Sequence, residues 1–291
     1  MSFNFQRTNY FFILSFGALL IGFAPIFVKW SHLSSSAITF YRMFFTLPFL
    51  FIANYILNKN ILFKVKNIST LFYTAIASIA FTLDLTLWHY SMNITSVSNA
   101  TIIVNSAPVF VALLSFLIFK ENLSKNFFIS FLVTYIGIIG LIYFSNNYMN
   151  GKILGDIICL IAAFFYASYL LIISRLGKES SLTIIFYTTF FCCIFSFVPM
   201  ILEPGTNIPS SRFEVINILF LALLCQLGGQ YLITIGITKI SASEGSIGLL
   251  MQPITATIFA AIIFSEVLNL YQIIFVFIAL FGIYLARKNI S

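Results

Sequence analysis

Apolar runs of about 20 residues, separated by short polar stretches, follow one another along almost the whole chain. A helix of that length crosses a hydrocarbon core about 30 Å thick. The pattern therefore predicts ten membrane-spanning helices and leaves no room for a soluble domain. We number them as spans one to ten, and they lie at Tyr10–Val28, Ser36–Leu57, Ser69–Met92, Val97–Phe119, Ser124–Phe144, Lys152–Ser174, Ser181–Leu202, Glu214–Thr238, Glu244–Phe264 and Asn269–Ala286.

Composition supports an all-α integral membrane protein. Only 8% of residues are charged and the mean hydropathy is +1.04, whereas soluble domains usually carry about 25% charged residues. The first run is longer than the apolar core of a signal peptide and leads into further spans, so we expect a retained helix. The four cysteines lie inside apolar runs without zinc-ligand spacing, so we expect no disulfide framework, no metal and no cofactor.

Two stretches of the chain repeat each other at a fixed offset of 145 residues. Pro108 and Glu121 in the first stretch recur as Pro253 and Glu266 in the second. The duplication predicts two five-helix units, at residues 10–144 and 152–288. Because five is an odd number, the second unit enters the membrane in the opposite sense. The fold class that we predict is therefore ten transmembrane helices arranged as two inverted repeats.

Basic residues predict the orientation in the membrane. Lysine and arginine are enriched in cytoplasmic loops, and with both termini in the cytoplasm the opposite side receives only Lys29, Lys152 and Arg212. We therefore expect a multi-pass protein of the cell (inner) membrane with both termini cytoplasmic. The net charge of +7 is explained by this topology and predicts no nucleic-acid partner. The residues on the cytoplasmic side are Arg7, Lys59, Lys64, Lys66, Lys120, Lys125, Arg175, Lys178, Lys239, Arg287 and Lys288.

Pro108 and Pro253 lie inside spans four and nine. Proline lacks an N–H group and crowds the carbonyl four residues earlier, which loosens a helix. Two interpretations remain open, a hinge that lines a cavity and a kink copied by duplication. Gly137 and Gly282 recur at matched positions in spans five and ten, where glycine permits close helix contact.

Each repeated glutamate precedes a residue that favours the start of a helix. Ser124 follows Glu121 by three residues, and Asn269 follows Glu266 by three residues. Serine and asparagine are good N-cap residues. We interpret both pairs as tight turns at the membrane surface rather than as substrate contacts.

Two segments resemble a known family, TSVSNATIIVNSAPVFVALLSFLIFKENLS and ISASEGSIGLLMQPITATIFAAIIFSEVLN. Both are similar to the EamA-type repeat of the drug/metabolite transporter superfamily. The resemblance implies a ten-helix fold with a central cavity lined mainly by spans one, three, four, six, eight and nine. It implies transport of a metabolite but no particular substrate, and it transfers no catalytic residue. Arg42 occupies a place in span two where members of the family often carry arginine.

Asp84 in span three is the clearest candidate for a binding residue. A charged side chain in the middle of a bilayer costs at least about 2.5–3.5 kcal/mol, so it needs a partner or a function. Trp88 follows one helical turn later and His89 is its neighbour. An acid beside an indole can hold a cation by charge and cation–π contact. The alternative is an internal pair, with Asp84 bound to Arg42 or to a hydroxyl group.

Polar side chains also occur on the other spans that the family resemblance places around the cavity. Such residues inside a bilayer favour a binding chamber, although they also serve as contacts between helices. We include them with Asp84, Trp88 and His89 in the predicted substrate site. They are Asn105, Tyr166, Tyr169, Gln226, Gln230 and Gln252.

These features predict a secondary transporter that moves a small metabolite (an amino acid, an amine or a nucleoside-like solute) by alternating access. The chain lacks a Walker A motif and paired catalytic groups, so we expect neither ATP-driven transport nor an enzyme. Its expected partners are the small-molecule substrate and the lipid bilayer, with coupling to a proton or a counter-substrate, in a monomer or homodimer. The alternative is a membrane interaction partner or passive channel without coupled transport.

Overall fold

The computed structural model describes most of the chain. Among these residues the regular secondary structure is helical, apart from one isolated β-bridge between Leu33 and Thr206. The prediction of an all-α membrane protein is confirmed. The turns predicted at Glu121, Ser124 and Glu266 lie outside the described residues. Those described are 2–60, 62–120, 129, 132–133, 135–137, 139–140, 143–144, 152–240, 242, 245, 248–249, 251–264 and 269–288.

Within these ranges, six helices are long and apolar enough to cross a membrane. They correspond to spans one, two, three, six, seven and eight, and each lies within a few residues of its predicted position. Helical residues are also described in the other four spans. The six helices are Asn9–Trp30, Ser35–Asn58, Ile68–Ser91, Ile153–Ser174, Ser181–Leu202 and Arg212–Ile237. Span four comprises Val97–Val104 and Ala107–Phe119, span nine includes Met251–Phe264, and span ten is Leu270–Lys288.

Two of the six long helices change conformation along their length. Span one is interrupted at Gly22 and Phe23, between the helices Ser2–Ile21 and Ala24–Trp30. Span eight contains a π-helix at Leu221–Gln230. Such wide turns are rare, and they occur frequently at functional sites.

The repeated prolines each follow a helix interruption. Span four breaks at residues 105–106, two residues before Pro108. In span nine Leu249 is in a turn, and the helix that contains Pro253 begins at Met251. Both interruptions lie two to four residues before the repeated proline, the region that proline weakens in a helix.

The two halves run in opposite directions. We name the two ends of the molecule by their loops, the Ser31 face (residues 31–34 and 203–211) and the Lys66 face (residues 59–67 and 175–180). Span two connects these faces through 24 helical residues, or about 36 Å. Span one ends at the Ser31 face, whereas span six, its counterpart, ends at the Lys66 face. The inverted arrangement is therefore confirmed.

Contacts between the halves are reciprocal. Span three packs along span six, and span eight packs along span one in the same way. Span two packs against span seven, and spans five and ten meet where a side chain at Gly137 would overlap the backbone of Ala279. This exchange of equivalent contacts is the pattern of a two-fold interface. The site described below lies at that interface.

Asn269 begins span ten as predicted. Its Oδ1 accepts a hydrogen bond from the backbone N–H of Gln272 at 2.8 Å, and Gln272 Oε1 accepts one from the N–H of Asn269 at 3.0 Å. The two side chains therefore satisfy each other's exposed helix-end groups. Asn269 Nδ2 also donates to the carbonyl of Phe144 at 2.9 Å, which ties the start of span ten to the end of span five.

Candidate functional site

A small cavity of about 40 Å³ lies between the two halves. Its walls come from the six spans that the family resemblance implies and also from span two. The lining residues are Ile21, Arg42, Phe81, Asp84, Leu85, Trp88, Val104, Tyr166, Gln230 and Gln252. Val104 and Ile21 each end a helical segment, so two of the helix interruptions open onto this space.

The cavity is lined by one acidic and one basic side chain. Asp84 is 4% exposed and Trp88, one turn further along span three, is 7% exposed. Arg42, from span two, is 1% exposed and lines the same space. Arg42 is not among the residues that the sequence predicts for the substrate site. Two buried side chains of opposite charge can stabilise each other and can also bind the two ends of a dipolar ligand.

Arg42 is held by span eight. Its Nε donates a hydrogen bond to Gln226 Oε1 at 3.1 Å, and Gln226 Nε2 donates to Thr189 Oγ1 at 3.4 Å. One turn after Arg42, the hydroxyl of Thr46 donates to the carbonyl of Ala222 at 3.2 Å. Gln226 therefore positions the guanidinium group.

Aromatic rings from spans three and six form one wall of the cavity. The rings of Phe81 and Tyr169 stack with centroids 4.3 Å apart, and Tyr166 lies 6.2 Å from Tyr169. Gln230 Nε2 donates to the hydroxyl of Tyr169 at 3.1 Å. Tyr169 thus supports the wall from behind, whereas Tyr166 and Gln230 line the cavity itself.

Three polar atoms of the lining lack a hydrogen-bond partner of normal geometry among the described residues. They are Trp88 Nε1, Tyr166 Oη and Gln252 Nε2, and all three are buried. Most buried polar atoms in folded proteins are hydrogen-bonded. A polar ligand or water in the cavity would satisfy these groups.

Four predicted residues do not line the cavity: Tyr169 and Gln226, which bond to lining residues from behind, and His89 and Asn105. His89 Nδ1 lies 2.9 Å from Thr39 Oγ1 and 3.3 Å from the carbonyl oxygen of Ser35, so it joins span three to the start of span two. Asn105 is buried in the interruption of span four. Neither residue is among those that line the cavity.

The internal repeat identifies lining residues that composition alone does not. Leu85 and Gln230 are 145 positions apart, and both line the cavity. Ile21 and Tyr166 are separated by the same offset and also line it. Subtracting the offset of 145 from the position of the candidate Tyr166 indicates Ile21 from the sequence alone.

The observed cavity is too small for a metabolite. One water molecule occupies about 30 Å³ in the liquid, so 40 Å³ holds little more than water. An amino-acid-sized solute requires the surrounding spans to separate. Among the described residues, no group of His, Cys, Asp or Glu side chains is arranged to hold a metal ion.

Carboxylates join the two halves at the Ser31 face. Glu214, at the start of span eight, accepts hydrogen bonds from the hydroxyl of Ser31 and from the N–H of His32. Glu203, at the end of span seven, accepts bonds from the N–H groups of Ser35 and Ser36 at 3.1 and 2.8 Å. These bonds fix the start of span two against the second half.

A related contact joins the halves at the Lys66 face. Glu179, just before span seven, accepts hydrogen bonds from the N–H of Lys66 at 3.1 Å and from the hydroxyl of Thr70 at 3.2 Å. Glu214 therefore binds the loop before span two, and Glu179 binds the start of span three. The two faces are closed by contacts of the same kind.

The model of the EamA-like transporter family matches residues 9–143 and 153–287. The chain belongs to the EamA-like transporter family. This family member is 24% identical over 184 residues to a Bacillus subtilis (strain 168) protein named "Uncharacterized transporter YetK", a match that covers 61% of the chain and 56% of that relative. The chain thus spans little more than half the length of this curated relative.

The fold of this EamA-like transporter also occurs in a solved protein. A crystal structure of another protein superposes with a TM-score of 0.68 over 97% of this chain and 96% of that one, at 13% identity. At this identity the likeness concerns the fold alone. The family match and the apolar helices together indicate a multi-pass membrane protein of a transporter family.

Proposed function

We propose that the chain is a secondary transporter that carries a small metabolite with an amino group across the cytoplasmic (inner) membrane. The observation that supports this most directly is the cavity between the halves, with the buried side chains of Asp84 and Arg42 in its walls. A dipolar amino acid or an amine suits such a cavity better than a nucleoside-like solute, because a neutral nucleoside offers no cation to the acid.

Each lining group has a role in this proposal. Asp84 binds the ammonium group of the substrate, and the face of Trp88 adds cation–π attraction. Arg42, held by Gln226, binds a carboxylate of the substrate when one is present. Tyr166 and Gln252 form hydrogen bonds that fix its orientation. The cost of keeping an acid inside the bilayer is explained if that acid binds the substrate or carries the coupling proton.

Transport proceeds by alternating access, in which the two halves rock about the cavity. The contacts of Glu214 hold the Ser31 face closed, and those of Glu179 hold the Lys66 face closed. Breaking one set opens the cavity to one side only. The repeats at residues 10–144 and 152–288 are the two moving units.

The distribution of basic residues predicts which face of the transporter lies on which side of the membrane. With both termini in the cytoplasm, the Lys66 face is cytoplasmic and the Ser31 face is external, in agreement with the positive-inside rule. Either a proton on Asp84 or a second substrate that exchanges with the first supplies the driving force. We assign the chain no enzymatic activity.

Counterflow in proteoliposomes tests this function. Vesicles containing the purified protein are loaded with an unlabelled amino acid or amine, and uptake of the same labelled compound is measured against protein-free vesicles. A carrier accumulates label transiently above equilibrium when the unlabelled compound is inside. A passive channel gives equilibration without this overshoot, and a protein that only binds partners gives no uptake, so either result contradicts the proposal.

A further inference from the structure

A second and larger space lies at the Lys66 face. It is a groove of about 520 Å³ between the start of span three and the end of span six. Because span three belongs to the first half and span six to the second, a ligand in this groove would touch both halves. The groove is separate from the central cavity, and the two have no lining residue in common.

The groove is basic. Lys66, Arg175 and Lys178 line it, and all three side chains are exposed. Lys66 Nζ donates a hydrogen bond to the carbonyl of Lys178 at 2.6 Å, so its ammonium group is held across the groove from the first half to the second. This arrangement concentrates positive charge where spans three and six meet.

One carboxylate also lines the groove, and it is already engaged. Glu179 is 7% exposed, and its Oε1 accepts bonds from the N–H of Lys66 and the hydroxyl of Thr70. Among the described residues that line the groove, three are cationic and one is a carboxylate, so basic residues predominate. The groove lies at the start of a 24-residue helix, whose N-terminal end adds a partial positive charge.

Apolar surface continues from the basic groove. Ile172 and Leu176 form part of its wall, and Tyr73, one turn into span three, is 50% exposed. Ile68 and Phe72 beside it are 80% and 64% exposed. A ligand that follows this surface needs an anionic head and an apolar tail.

We propose that this groove binds an anionic phospholipid, with the phosphate against Lys66, Arg175 and Lys178 and the acyl chains along span three. Basic pockets between transmembrane helices bind anionic head groups in this way. The bound lipid bridges the halves beside the Glu179 contact and stabilises the closed Lys66 face. That this is the cytoplasmic leaflet rests on the proposed topology, whereas lipid binding itself does not depend on transport.

The test compares lipids on purified protein in neutral detergent. Binding of phosphatidylglycerol and of phosphatidylcholine with identical chains is measured by native mass spectrometry and by the shift in melting temperature. We expect the parent protein to bind phosphatidylglycerol at least about tenfold more tightly. Each basic residue near a lipid surface contributes about fivefold to binding, so Arg175→Gln with Lys178→Gln should weaken it roughly 30-fold.

The control is Lys59→Gln with Lys64→Gln, which removes two charges from the same face outside the groove. It should bind phosphatidylglycerol within about twofold of the parent. Equal binding of both lipids by the parent overturns the proposal even if the Arg175 and Lys178 variant does not fold. Parent-like affinity in that variant also overturns it, as does inorganic phosphate alone producing the full shift in melting temperature, since the ligand would then be a free anion.

Discussion

Replacing Asp84 with asparagine is the sharpest test of the central cavity. The change keeps the size of the side chain and removes its charge. If Asp84 binds the ammonium group of the substrate, the variant loses a charge-assisted hydrogen bond. Such a bond contributes about 1.5–3 kcal/mol, so the apparent affinity should fall roughly 10- to 150-fold.

The same substitution affects Arg42, because both side chains are buried and line the same cavity. Leaving a buried charge without compensation costs about 3–5 kcal/mol when the two charges form a direct ion pair. Here Arg42 keeps its hydrogen bond to Gln226, so we expect a loss of stability at or below the lower end of that range. The variant should therefore still fold.

A second substitution separates binding from pairing. Arg42→Gln removes the base, and the double variant Asp84→Asn with Arg42→Gln removes both charges. If Asp84 serves only to neutralise Arg42, the double variant recovers stability and also recovers transport of an amine that has no carboxylate for Arg42 to bind. If Asp84 binds the amine or carries the coupling proton, the double variant recovers stability but remains inactive.

The assay is uptake of a labelled amine or amino acid into proteoliposomes across a range of pH, with melting temperature as the measure of folding. Asp156→Asn is the matched control, since Asp156 is buried outside the cavity and its Oδ1 accepts a bond from the hydroxyl of Thr95 at 2.7 Å. It should retain transport. Parent-like uptake by Asp84→Asn at every pH would refute the proposed role and make Asp84 a structural residue.

Three further predictions concern topology, packing and the two faces. Reporter fusions after Lys66 and after Asn147 should read cytoplasmic and external, and the same compartment for both would contradict the proposed orientation. Gly17→Ala should lower the free energy of unfolding by about 1–3 kcal/mol, because the new Cβ would lie 2.6 Å from the carbonyl oxygen of Gly229. The loss is measured as a lower melting temperature. Gly228→Ala is the control that should be tolerated, because the nearest atom to its Cβ is 3.3 Å away at the end of a leucine side chain. The third prediction uses Leu85→Cys as a reporter in a background without other cysteines, labelled from the outside by an impermeant maleimide. Glu214→Gln should increase the labelling of this cysteine and Glu179→Gln should decrease it. Equal labelling in both variants would contradict the proposed role of these carboxylates.

The sequence predicts the spans well because crossing a bilayer imposes a simple requirement of length and apolarity. It also predicts a weakening of spans four and nine, since proline at positions 108 and 253 acts through local chemistry, but not the interruption of span one or the π-helix of span eight. Asp84 and Gln252 were expected at a cavity because a charge or an amide is costly in lipid. Both line the cavity in the structure.

Sequence spacing is less informative about which helix a side chain contacts. His89 follows Trp88 directly but lies against Thr39 in span two, because one step along a helix rotates the side chain by about 100°. Gln226 and Gln230 have the spacing of one helix face, yet the first binds Arg42 and the second lines the cavity. They lie in the π-helix, where the usual spacing does not hold.

The carboxylates that join the two halves at each face have a consequence for how the halves recognise each other. Glu179, Glu203 and Glu214 all belong to the second half, and their partners all belong to the first. Residues 1–145 carry eight lysines and arginines but two acids, a net charge of +6, and the remainder carries seven and six, a net charge of +1. Two copies of the first half would repel each other and lack these acceptors. A chain cut between residues 144 and 152 should therefore reassemble as an unlike pair, because the duplicated units have become complementary and are no longer interchangeable.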